Sequence, residues 1–243
     1  MLYNGTQSIH QTFCRLNFLP NVLRWLNMKY FVSIALFTCF TLFTSCKFII
    51  IKMQGIKQPK IETHQSLSKF LLSSKVDTSE ILCFRDTTAL NNFYATDIGV
   101  PDARFFNREK KLVDYRSVEA DCNAHVSPFI EKTDSINALT PVPGKNIDNF
   151  LKGLVVVRTA QEFKLECQDY DAFMVIYWAK YLGNVTKSHI AEWQELVTKA
   201  NKDKKKIRMI LVNADYQSFW GVEASDVPKF DYYGAARKAK KHE

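Results

Sequence analysis

An α/β fold follows from three continuous apolar runs separated by helical patterns. Leu154-Val155-Val156-Val157, residues 172–178 and residues 207–212 are nearly free of polar side chains, as expected of strands buried on both faces. Residues 160–168 read as a short helix. A longer helix begins at Thr186 or Ser188, with Ile190, Trp193, Val197 and Ala200 on one face and Lys and Glu on the other. Strand, helix, strand, helix, strand, with helices of ~10–15 residues, implies right-handed crossovers and a mainly parallel core.

The N-terminal region is of a different kind. Met28-Lys29-Tyr30 is followed by an apolar stretch of about 13 residues and then by Thr44-Ser45-Cys46. A basic start, a short apolar core and small residues before a cysteine make a secretory signal. The stretch is short of the ~20 residues needed to span a bilayer. Leu42-Phe43-Thr44-Ser45-Cys46 resembles a bacterial lipobox. That resemblance implies cleavage before Cys46, acylation of Cys46 and a lipid-anchored protein of the cell envelope, periplasmic or outer-membrane. Residues 1–27 have mixed polarity and no period, and read as a mis-assigned N-terminal extension. Residues 28–45 are then the signal peptide and 46–65 a tether.

About 198 of the 243 residues remain after such processing, enough for one domain. Leu67, Phe70 and Leu71 give a helix through about Ser74, and Ile81-Leu82-Cys83-Phe84 a strand. Thr87 can cap a helix holding Leu90, Phe93 and Tyr94. Residues 103–106 and 111–115, joined by a charged turn, read as a hairpin. Residues 123–132 are helical, with Pro128 delaying the start. Pro141 and Pro143-Gly144 mark a linker, placed at 136–152. Residues 66–135 and 153–243 are thus the two halves of the domain.

Tyr177-Trp178-Ala179-Lys180-Tyr181-Leu182-Gly183-Asn184-Val185 closes the second apolar run and enters the long helix. It resembles the thioredoxin active-site loop, Trp-Ala-x-x-Cys-Gly-x-Cys, with Leu182 and Val185 at the two cysteine positions. Redox exchange there needs a thiolate of lowered pKa, and neither side chain supplies one. The resemblance implies a thioredoxin-like mixed sheet flanked by helices. It also implies a groove beside the helix N-terminus, lined by Trp178, Tyr181, Leu182, Gly183 and Val185, that can hold a peptide or partner loop. Gly99-Val100-Pro101 with its hairpin resembles the family's cis-proline turn, which makes the sheet permuted, the hairpin coming from the N-terminal half. Pro228 in a conventional order, with a separate N-terminal lobe, is the alternative.

The net charge of +8 is dispersed, with clusters at 202–206 and 237–241. Basic residues lack the interleaved aromatics of nucleic-acid binding, so the expected partners are a membrane, through the lipid anchor, and a protein or peptide. Cys122 and His125 alone make no zinc site, and neither metal nor cofactor is expected. No G-x-S-x-G, H-E-x-x-H or glycine-rich phosphate loop is present, and a lone His189 is more often packed than catalytic. The expected function is binding or envelope structure without redox chemistry. The alternative is an enzyme using Cys83, Cys122 or Cys167.

Overall fold

Alternate side chains of the strand Ala172–Trp178 enter different cores, which explains why none of its positions is polar. Ala172, Met174, Ile176 and Trp178 pack into one core, and Phe173, Val175 and Tyr177 into the other. The structure, a computed structural model, describes residues 50–73, 76–96, 98–116, 126–131, 133–166, 170–203 and 205–230. The extension 1–27, the signal peptide, Cys46, Cys122, His125, Cys167 and the basic tail lie outside the described residues. The chain divides into two compact units, Met1–Met53 and Gln54–Glu243. The first is described only at residues 50–53, which are helical. Among the described residues no helix is long and apolar enough to cross a membrane.

In chain order the strands and α-helices of the second unit are β1 (Ile61–Glu62), α1 (His64–Leu72), β2 (Ile81–Phe84), α2 (Thr87–Tyr94), β3 (Asp102–Asn107), β4 (Lys111–Val113), α3 (Val126–Glu131), β5 (Pro141–Asn146), α4 (Ile147–Leu151), β6 (Leu154–Val156), β7 (Ala172–Trp178), α5 (Asn184–Lys202), β8 (Ile207–Asn213) and β9 (Tyr216–Gln217). Seven strands form one mixed sheet in the order β5-β4-β3-β7-β8-β2-β6, and β1 pairs with β9 separately. Helices flank the sheet. One core holds Leu67 and Leu71 of α1, Val126 and Ile130 of α3 and the buried face of α5. The other holds Leu90 and Phe93 of α2 and Ile147 and Leu151 of α4.

The expected hairpin is present, and it joins the sheet beside β7, Asp102 pairing with Tyr177 and Asn107 with Ala172. The expected face of α5 is also present, with Ile190, Trp193, Val197 and Ala200 all buried. The helix starts at Asn184, ahead of Thr186.

Three expectations are corrected. The parallel core is smaller than the strand-helix alternation implied, because within the seven-stranded sheet only β7·β8 and β8·β2 are parallel. Over the described residues 160–166 the expected helix does not follow β6. Ala160 takes a positive φ of 55° and turns the chain back, so Val156 N–H donates to Gln161 C=O and Phe163 N–H to Leu154 C=O. β6 consequently pairs antiparallel with β2 at the far edge, away from β7, and the first β-α-β crossover is absent. Residues 136–152 are no linker, since they hold β5 and α4. β5 tolerates two prolines because it is an edge strand, meeting β4 at Lys111↔Asn146 and Val113↔Pro141.

The tether also ends earlier than expected. Thr63 caps α1 through a reciprocal pair with Ser66, the Ser66 N–H lying 3.2 Å from the Thr63 hydroxyl. The helix therefore begins at His64, and residues 54–62 already belong to the domain.

Candidate functional site

The site is the corner where β7 turns into α5. Trp178 ends the strand fully buried, its indole stacked over Phe70 at 6.1 Å between ring centroids. Its carbonyl accepts the Ala214 N–H at 2.7 Å, tying the ends of β7 and β8 together. A short 3₁₀ turn, Lys180–Leu182, follows, and Gly183 stands at the N-cap of α5 with φ 59° and ψ −128°. That region is open essentially to glycine alone. Tyr181, Leu182 and Val185 are half-buried and Gly183 is buried. Val100–Pro101 is the cis peptide among the described residues. Pro101 immediately precedes Asp102, the partner of Tyr177, so it lies at the same end of the sheet as Trp178. Of the residues singled out for the groove, Tyr181, Leu182, Val185 and Pro101 thus keep some exposure, while Gly183 is buried and Trp178 belongs to the core.

Beneath the corner lies an acid that the sequence did not single out. Asp215, just past β8, is 1 % exposed. Its carboxylate accepts the Lys180 backbone N–H at 2.6 Å and the Asn213 side-chain amide at 2.7 Å. Asn213 in turn accepts from Gln217 at 2.7 Å. Burial pushes the Asp215 carboxyl up to about 6. The Lys180 N–H and the Asn213 amide pull it down, the Glu62 charge raises it again, and the Tyr181 N–H lowers it. A polar Asn-Ala-Asp directly after an apolar strand was the available sequence signal. The Tyr94 hydroxyl adds a further support, donating to Ala214 C=O at 2.6 Å and meeting the Tyr181 hydroxyl at 3.3 Å. On the outer side Lys180 Nζ pairs with Glu62 at 2.6 Å.

The chain's own residues 54–58 cross the corner. Gln54 C=O accepts the Asn184 N–H at 2.6 Å, and Lys57 N–H donates to Tyr181 C=O at 2.8 Å. A Cβ on Gly183 would fall well inside contact distance of the Gln54 and Gly55 carbonyls. The groove read from the sequence is therefore filled from within.

Other candidate groups are placed elsewhere. His189 stacks on Trp193 at 5.3 Å within α5, a packing position. Cys83 is fully buried in β2, and desolvation pushes its thiol up to about 12, so it carries no thiolate at neutral pH. Incubating the folded protein with iodoacetamide is expected to leave Cys83 unmodified until denaturant is added. Its rapid labelling in the native state would show that β2 opens. Among the described residues no cluster of His, Cys, Asp and Glu is arranged to hold a metal.

No known family model, curated protein or solved structure matches the chain.

Proposed function

We propose that this chain is a lipid-anchored envelope protein, held through Cys46, whose thioredoxin-like domain is redox-inactive and serves in binding or envelope structure. The observation that carries the reading is the chemistry of the corner. A strand ending in Trp178, a turn, a cap glycine and a long helix stand in the order of a thioredoxin active site, yet Leu182 and Val185 occupy the reactive positions. The hairpin of β3 and β4, entering beside β7 from earlier in the chain, supports the permuted form of that frame. Aliphatic side chains at the helix entry offer no electron pair for disulfide attack. What remains at this end of the sheet is a shaped, part-exposed surface supplied by Tyr181, Leu182, Val185 and Pro101.

Two measurements test the reading. In an insulin-reduction assay with dithiothreitol, the purified domain is expected to produce no turbidity above the reductant alone, and clear acceleration would end the non-redox claim. Mass spectrometry of the membrane-extracted protein is expected to find Cys46 as an acylated first residue. An unmodified N-terminus at another residue would reject the anchor. Capture of partners from a detergent-solubilised envelope, using the full-length protein, would then separate a binding role from a purely structural one.

A further inference from the structure

We infer that the corner is a main-chain recognition site for a peptide segment with a glycine turn, filled in cis by residues 54–58 and opened when this strap leaves. The inference deepens the binding reading above, resting on it only in taking the corner as a place where a peptide is held.

The contacts themselves argue for a peptide. The N-terminus of a helix presents backbone N–H groups that the helix cannot satisfy, together with the positive end of its dipole. Here the Gln54 carbonyl takes one of them, the Asn184 N–H. Three residues on, Lys57 returns an N–H to the Tyr181 carbonyl. One acceptor and one donor, three residues apart across a turn that Gly55 makes at a positive φ of 65°, are main-chain groups that a peptide able to turn in the same way offers. Neither bond reads a side chain. Gly183 makes the approach possible, since the space for a Cβ there is taken by the strap's carbonyls. A cavity of about 270 Å³, with Phe70, Lys180 and Tyr181 among its walls, opens beside the strap and leaves room for the side chains of an incoming segment.

The manner in which the strap is held argues that it can leave. Lys57 and Gln58 are exposed, residues 54–56 are half-buried, and Pro59 is the first buried residue. Among the bonds of the described residues, the strap is also fastened by the Gln58 side chain, which donates to Phe230 C=O at 2.9 Å and accepts the Phe230 N–H at 2.8 Å. From Ile61 onward the hold is of another kind, with β1 paired to β9 and Glu62 to Lys180. A segment fixed by a few hydrogen bonds and little apolar burial opens locally at much lower free energy than a buried sheet. A partner's segment with such a turn therefore competes with a local ligand at high effective concentration, and wild-type protein binds it only as often as the strap is open.

The test uses the full-length chain carrying Lys57→Pro, which removes the donor to Tyr181, together with Gln58→Ala, which removes the clasp on Phe230. The probe is a fluorescently labelled synthetic peptide with the sequence of residues 54–62, followed by anisotropy. The variant is expected to bind it at least about tenfold more tightly than wild type. By hydrogen exchange, the Asn184 amide should lose protection in the variant and regain it with peptide, while β7 amides stay protected. Failure to bind the peptide with β7 protection intact would overturn the proposal. If the variant does not hold its sheet, exchange in wild type decides. Asn184 exchanging well ahead of β7 supports a detachable strap, and Asn184 exchanging only with β7 refutes it. None of these outcomes depends on acylation or on insulin reduction.

Discussion

Raising the pH from about 4 to about 7.5 is expected to weaken the fold, and Asp215→Asn is expected to remove most of that loss. The native Asp215 carboxyl keeps its proton up to about 6 against an ordinary value of 3.8, chiefly because it is buried. Between those values the folded chain binds more protons than the unfolded one, so stability falls as pH rises. The contribution is fully present below 3.8 and is lost as pH passes through about 6. With each tenfold difference in proton affinity equal to about 1.4 kcal/mol, the full swing is about 3 kcal/mol. Asp102 moves in the same direction, burial outweighing Arg104 and Arg116, so the diagnostic quantity is the difference between wild type and Asp215→Asn across the range. Parallel pH profiles would show that Asp215 does not titrate from this buried position. Asp215→Ala is a separate control. It leaves the Lys180 N–H and the Asn213 amide without their acceptor and should destabilise the domain by about 1–3 kcal/mol at acidic pH.

Asp215 also marks where sequence reading stops. β7 and the buried face of α5 were legible because apolar periodicity is a local property, recorded in every residue of the element. Trp178 and Gly183 could be placed at a corner for the same reason, since a buried strand and an amphipathic helix meet there. The pairing of β6 was not legible. A short apolar strand carries no mark of which neighbour it takes, and one alanine at positive φ replaced an expected helix with a reversal. β5 was hidden by Pro141 and Pro143, residues that exclude a central strand but not an edge. The burial of Asp215 is created by elements far apart in sequence, β1, the 3₁₀ turn and β8. The strap left no trace in composition because its two bonds to the corner are made by main-chain atoms, which every residue possesses.

Gly183→Ala is expected to destabilise the domain by about 3 kcal/mol or more and to expel the strap in whatever fraction remains folded. Two independent penalties meet at this residue. With φ 59° and ψ −128° the backbone lies where an L side chain is strained by about 1–3 kcal/mol. The new methyl must also occupy space filled by the Gln54 and Gly55 carbonyls, and these are backbone atoms that cannot rotate aside as a side chain would. If the corner relaxed to admit alanine, the first turn of α5 would shift against Trp178 and Phe70. If the strap yielded instead, the Asn184 N–H and the Tyr181 carbonyl would lose their partners to solvent. Gly221, also at positive φ (69°) but with open space around its Cβ position, provides the comparison. Gly221→Ala carries only the milder strain of the left-handed helical region (φ 69°, ψ 20°), so the excess loss in Gly183→Ala reports its more restricted backbone and the overlap with the strap together. Urea denaturation of both variants reads that excess directly, and equal midpoints would mean that residues 54 and 55 do not rest on Gly183 in solution.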